Sequence, residues 1–137
     1  MSEIEAPVGL IRFLHRLGVT ENYTGFHYLA CAVCLCIAEP ERLLQVTKRV
    51  YPEVADRYHT NWKAVERNIR TAARVIWEQG RMPLEHLAGR ALLRRPRTAQ
   101  LLAILTYGLL PHVPFSETAP EALFGDVFPE RVLGIPN

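Results

Sequence analysis

The sequence predicts an all-α fold: a compact bundle of about six helices containing a helix-turn-helix, followed by a Pro-rich C-terminal extension. Three stretches carry that prediction. Residues 46–80, VTKRVYPEVADRYHTNWKAVERNIRTAARVIWEQG, read as two helices joined at Tyr58 to Asn61. Thr24 to Ala38 is apolar on nearly every side, and Ala99 to Leu109 repeats Leu and Ile at helical spacing. A chain of 137 residues with 49% hydrophobic and 22% charged residues can form a core without disulfides or metals.

In chain order, Val8, Leu10, Ile11, Leu14 and Leu17 give a first amphipathic helix over Pro7 to Leu17, with Gly18 as its stop. Thr24 or Gly25 starts the second helix, whose all-round apolarity makes it the central pillar. Cys31, Cys34 and Cys36 lie within it. A C-x-x-C pair supplies two metal ligands or a redox couple, but a structural zinc site needs four ligands and no Cys or clustered His supplies the rest. Buried, reduced thiols are therefore expected, and no metal. Glu39-Pro40-Glu41 breaks the pillar and opens a short helix, Arg42 to Val46, after which Thr47 is positioned to cap the next one. Pro52 fits a helix only in its first turns, so that helix starts irregularly near Thr47 or cleanly at Tyr51.

The following helix is the most informative. Lys63, Arg67, Arg70 and Arg74 fall on one side of a helix turning about 100° per residue, and Val65, Ile69, Ala72 and Ile76 fall on the other. Such a helix buries one stripe and offers guanidinium groups to a major groove, while Val50, Val54 and Ala55 of the helix before it face inward to hold it. Thr60 or Asn61 caps it and leaves its first amides open to a phosphate; Gly80 ends it. Met82 to Gly89 forms a further short helix. RRPR, Arg94 to Arg97, reads as an exposed basic loop, either a solvated connection or a phosphate clamp beside the motif. Thr98 then caps the closing helix.

Charge is unevenly distributed. Residues 59–110 carry nine Lys+Arg against three Asp+Glu, a local charge of +6, whereas residues 1–58 and 111–137 sum to −1 and −3. That asymmetry favours a polyanionic partner for the second half of the domain. From Pro111 onward half of the prolines occur among Phe115, Leu123, Phe124, Phe128 and Leu133. So apolar a tail is expected to dock, on its own domain or on a neighbouring subunit or another protein. The division expected is 1–110 for the helical domain and 111–137 for the extension. No apolar run approaches the roughly 20 residues of a membrane helix, and the acidic start MSEIEAP is unlike a signal peptide, so a cytoplasmic protein is expected.

VTKRVYPEVADRYHT followed by VERNIRTAARVIW resembles the C-terminal DNA-binding domain of the response regulator that initiates endospore formation in Firmicutes. GFHYLACAVCLCIAEPERL and, more weakly, TAQLLAILTYGLL extend the resemblance over about residues 8 to 110. It implies a sporulation-type transcription regulator whose partner is double-stranded DNA, bound as a homodimer or as tandem copies, with no cofactor. It also implies that the second helix reads bases and that the first helix and the turn contact phosphates. On that basis Asn61, Lys63, Glu66, Arg67, Arg70 and Arg74 form the recognition-helix set, and Thr47, Lys48 and Thr60 the phosphate-side set. Glu66 is suited to accept from a cytosine amino group and Arg67 to donate to guanine or phosphate; Arg70 and Arg74 are better placed for the backbone.

Two departures stand out. Lys63-Ala64 replaces the Ser-Arg of the family pattern, so a guanine-reading arginine has no counterpart, and such a pair is worth about 1 to 3 kcal/mol of discrimination. Trp62 is unusual at the helix start and is expected to pack on the preceding helix or to touch a thymine methyl or sugar. The family regulator also carries an N-terminal receiver domain; residues 1–7 are too few for one, so a free-standing effector module is expected. The alternative function is an adaptor or antagonist binding a regulator or the RNA polymerase sigma subunit. Catalysis is not expected: His15, His27, His59, His86 and His112 are dispersed, and no glycine-rich phosphate loop is present.

Overall fold

The computed structural model describes residues 8–109, seven α-helices and one 3-10 segment. The extension 111–137, its docking and the Pro7 end of the first helix lie outside the described residues. The elements are α1 (Val8–Arg16), α2 (Thr24–Ala38), a 3-10 segment (Pro40–Gln45), α3 (Val46–Arg49), α4 (Tyr51–Arg57), α5 (Trp62–Gln79), α6 (Arg81–Ala88) and α7 (Thr98–Leu109). The core is assembled from every one of these elements.

α2 is the pillar. It buries ten of its residues, from Gly25 to Cys36, and packs chiefly against α5 and α7. Gly25 makes the α2–α5 approach close: a Cβ there would stand 2.3 Å from the Asn68 carbonyl oxygen, so only glycine fits. Gly80 plays the same part at the corner between α5 and α6, where a Cβ would lie 2.5 Å from the Leu17 backbone. α1 contributes Leu10, Phe13, Leu14 and Leu17 to the core, and Gly18 ends it at φ 96. Phe13 is a core residue that the helical-spacing argument did not include, and Ile11 is only partly buried.

Cys31 and Cys36 are buried and Cys34 partly so, all as free thiols. Burial raises the thiols of Cys31 and Cys36 to about 11 and about 12. No group of three or more His, Cys, Asp or Glu side chains is arranged to hold a metal among the described residues. No described helix is long and apolar enough to cross a membrane.

The stretch between α2 and α5 differs from the sequence reading in detail. The segment after Glu39 is a 3-10 turn beginning at Pro40, not an α-helix from Arg42. Thr47 does not cap a helix; it sits inside α3, whose N-cap position is Gln45. The first motif helix is split in two, because Pro52 lacks the N–H that would bond to the Lys48 carbonyl and its ring crowds that oxygen. Val50 takes φ −115 at the break and Pro52 falls in the first turn of α4. The split raises the helix count above the expected six.

Candidate nucleic-acid interface

The helix-turn-helix is built from α3, α4 and α5. Glu39 pairs with Arg42 Nε of the 3-10 segment at 3.0 Å and with Arg49 Nη2 of α3 at 3.2 Å, tying the two segments together, and Thr47 and Lys48 are exposed on α3. Val50 at the break and Val54 and Ala55 of α4 are buried as expected, and α4 packs against α5.

The turn is more specific than its sequence suggested. His59 adopts the left-handed region at φ 55, the Thr60 N–H donates to the Ala55 carbonyl at 2.9 Å, and the His59 N–H reaches Asp56 O at 3.4 Å. This is the double hydrogen-bonded helix stop usually built on glycine, here carried by histidine. Tyr58 stacks edge-on against Tyr28 of α2 with centroids 5.2 Å apart, tying the turn to the pillar. Of the two cap candidates, Asn61 is the cap: its Oδ1 accepts the Ala64 N–H at 2.9 Å. Thr60 is spent in the turn.

α5 divides as its periodicity predicts. Val65, Ile69, Ala72, Ala73, Val75 and Ile76 are buried, and Lys63, Arg67, Arg70 and Arg74 are exposed. Glu66 pairs with Arg70 at 3.5 Å and Arg74 with Glu78 at 3.8 Å. Arg67 has no ion pair among the described residues. Trp62 remains 39% exposed with the Lys63 ammonium 5.8 Å from its ring centroid, so the two residues that begin α5 form one amphipathic cationic tip. Thr47 and Lys48 are exposed on α3, and Thr60 is half-buried in the turn. All nine of the sequence-nominated residues thus lie on α3, the turn or α5.

The basic loop Arg94 to Arg97, read from the sequence as either a solvated connection or a phosphate clamp, stands beside them, but the groove it shares with α3 and α5 had no signal in the sequence. A groove of ≈ 440 Å³ separates α3 and α5 from the loop before α7, and its walls include Thr47, Tyr51, Glu66, Arg70, Arg95 and Arg97. Tyr51 lies at its buried base; burial, reinforced by the Glu66 carboxylate and opposed by a hydrogen bond with Thr98, pushes the phenol up to about 12. Thr98 is the first residue of α7 and not its cap, since the Leu101 N–H already bonds to the Arg97 carbonyl. Gln100 takes that part, reaching back to accept the Arg97 N–H at 2.8 Å, as the third residue of a helix does in a capping box.

The family model described as sporulation initiation factor Spo0A C terminal matches residues 10–109. The chain belongs to this family. As a Spo0A C-terminal domain it is a DNA-binding regulator of transcription in sporulation, and that family is not one of enzymes. The match spans α2 to α7 and all but the first two residues of α1, so the helix-turn-helix and the groove beside it both lie inside the Spo0A C-terminal unit.

Proposed function

We propose that the chain is a sequence-preferring regulator that lays α5 in the major groove of duplex DNA. Lys63, Glu66 and Arg67, near its N-terminus, meet base edges, and Arg70 and Arg74 meet the backbone. Thr47, Lys48 and Thr60 attend the phosphates beside the groove. Asn61 acts chiefly by capping the first turn of α5. The observation that supports this most is the pairing of a rigidly seated apolar stripe with an exposed cationic ridge directly after a fixed helix stop.

Residues 1–110 form the binding unit in this reading and 111–137 an added extension. Because Lys63-Ala64 stands where the family pattern has Ser-Arg, the preferred box differs from the family's. A lysine at the tip delivers one mobile ammonium rather than a planar fork, so it favours charge over bidentate guanine geometry.

Selection from a random duplex pool, followed by binding at several salt concentrations, tests the reading. A recovered consensus with affinity falling steeply in salt is the expected result. Binding to no duplex, with a sigma subunit or another regulator captured instead, would overturn it in favour of the adaptor.

A further inference from the structure

The loop between α6 and α7 carries Arg94, Arg95 and Arg97, which the recognition-helix account does not use. It is held in place at both ends. Leu92 is buried, its N–H donates to the Glu85 carboxylate at 2.8 Å and its carbonyl accepts from Arg81 Nη2 at 2.9 Å. Pro96 is buried, and Arg97 is fixed through its N–H to Gln100 and its carbonyl to the Leu101 N–H at 2.9 Å. The side chains of Arg95 and Arg97 are nevertheless exposed.

Both arginines face the same groove as Arg70 and Thr47. The one carboxylate on its wall, Glu66, is paired with Arg70, and neither Arg95 nor Arg97 makes an ion pair among the described residues. Like charges gathered from two elements distant in sequence repel one another unless an anion sits between them, and a fixed loop needs little ordering to receive one. A phosphate ester suits this lining, since Glu66 and Arg70 on its wall belong to α5 and guanidinium forks match phosphate oxygens.

We propose that Arg95 and Arg97, together with Arg70, clamp the sugar-phosphate backbone of the duplex that α5 enters, adding a phosphate contact site from outside the helix-turn-helix. The clamp rests on the reading that α5 occupies the major groove. It contributes affinity without reading sequence and widens the stretch of backbone the domain covers.

The test compares the chain with Arg95→Ala/Arg97→Ala and Arg95→Lys/Arg97→Lys on the selected duplex and on a random duplex. The alanine pair is expected to flatten the slope of log K against log salt by about 2 and to weaken both duplexes alike, roughly 10-fold or more at 0.1 M salt. The lysine pair should keep most of the slope. Phosphate-ethylation interference should lose its signal at flanking phosphates while those next to α5 persist. Circular dichroism checks that the variants fold, which is expected because the cap uses the Arg97 backbone and not its side chain.

An unchanged slope and ethylation pattern in the alanine pair, with the wild-type chain binding duplex normally, would overturn the clamp and leave the major-groove reading standing. Wild-type failure on every duplex would remove both. Saturable binding of inorganic phosphate that the alanine pair abolishes, without a change in the duplex slope, would reassign the groove to a small anion and equally overturn the clamp.

Discussion

Glu66 and Arg70 stand one turn apart on α5 with Oε1 and Nη2 3.5 Å from each other, each side chain substantially exposed at 37% and 55%. The acceptor proposed for a cytosine and the donor proposed for a phosphate therefore engage one another within the helix. An exposed i,i+4 pair contributes only about 0.3 to 0.5 kcal/mol, so DNA can exchange it for intermolecular contacts at little cost.

Replacing Glu66 separates its two effects. Glu66→Ala removes a negative charge from the DNA-facing side and should strengthen binding to random duplex. It should narrow the gap between selected and random duplex by about 1 to 3 kcal/mol if the carboxylate reads a base. Gel shifts on the two duplexes measure both numbers; an undiminished gap would exclude Glu66 from base reading.

Arg67 and Arg74 should behave differently. Arg67→Ala is expected to weaken the selected site by about 1 to 3 kcal/mol more than random DNA, whereas Arg74→Ala weakens both about equally and reduces the salt slope by about 1. Equal losses on all sequences for Arg67→Ala would make it a backbone residue too.

Asn61 has a structural task that can be told apart from a DNA contact. Asn61→Ala leaves the Ala64 N–H uncapped and should cost about 1 kcal/mol of stability. Asn61→Asp keeps the cap and so the melting temperature, yet places a carboxylate against the duplex and should weaken binding. Thermal melts beside gel shifts decide this, and retained stability in the alanine variant would contradict the capping role.

His59 occupies a left-handed conformation that costs a residue with a Cβ about 1 to 2 kcal/mol. His59→Gly relieves that strain but loosens the unfolded chain, for a net gain of about 0.5 kcal/mol and a melting point higher by roughly 2 to 4 °C. A clear drop instead would mean that the imidazole itself stabilises the turn.

Alkaline pH should destabilise the fold. Cys31 and Cys36 rise from 9.0 to about 11 and about 12, and Tyr51 from 10.0 to about 12, mainly because burial disfavours their anions. With the folded-state values above the unfolded ones, the native chain holds more protons between about pH 9 and 12, so stability is complete below pH 9 and falls as pH rises through that window. Melting temperatures at pH 7.5, 9 and 10.5 should decline in that order beyond pH 9; a flat profile would contradict the burial of these groups.

Local regularities made much of the molecule readable. The basic and apolar faces of α5 follow from helical periodicity alone, the pillar Thr24 to Ala38 from its continuous apolarity, and a cap at Thr60 or Asn61 from the short-range geometry by which a side chain replaces a missing backbone acceptor, the choice of Asn61 being left to the structure. Each of these depends on residues within a turn or two of one another. The break at Val50 was half visible, since Pro52 constrains the backbone but does not choose between an irregular start and two helices.

What the sequence determined, then, was the cationic ridge on α5 and the greasy stripe that seats it, because both arise from spacing along one chain segment. Tertiary packing alone decided that Arg95 and Arg97 would stand across a groove from Arg70. Their separation in sequence carries no directional information; α6, the buried Leu92 and Pro96, and the Gln100 back-bond turn the chain and aim the loop. His59 lies between these cases: its left-handed turn closes α4 through the Thr60 and His59 N–H bonds to Ala55 and Asp56, in a conformation that histidine tolerates better than most residues but that its type alone does not specify.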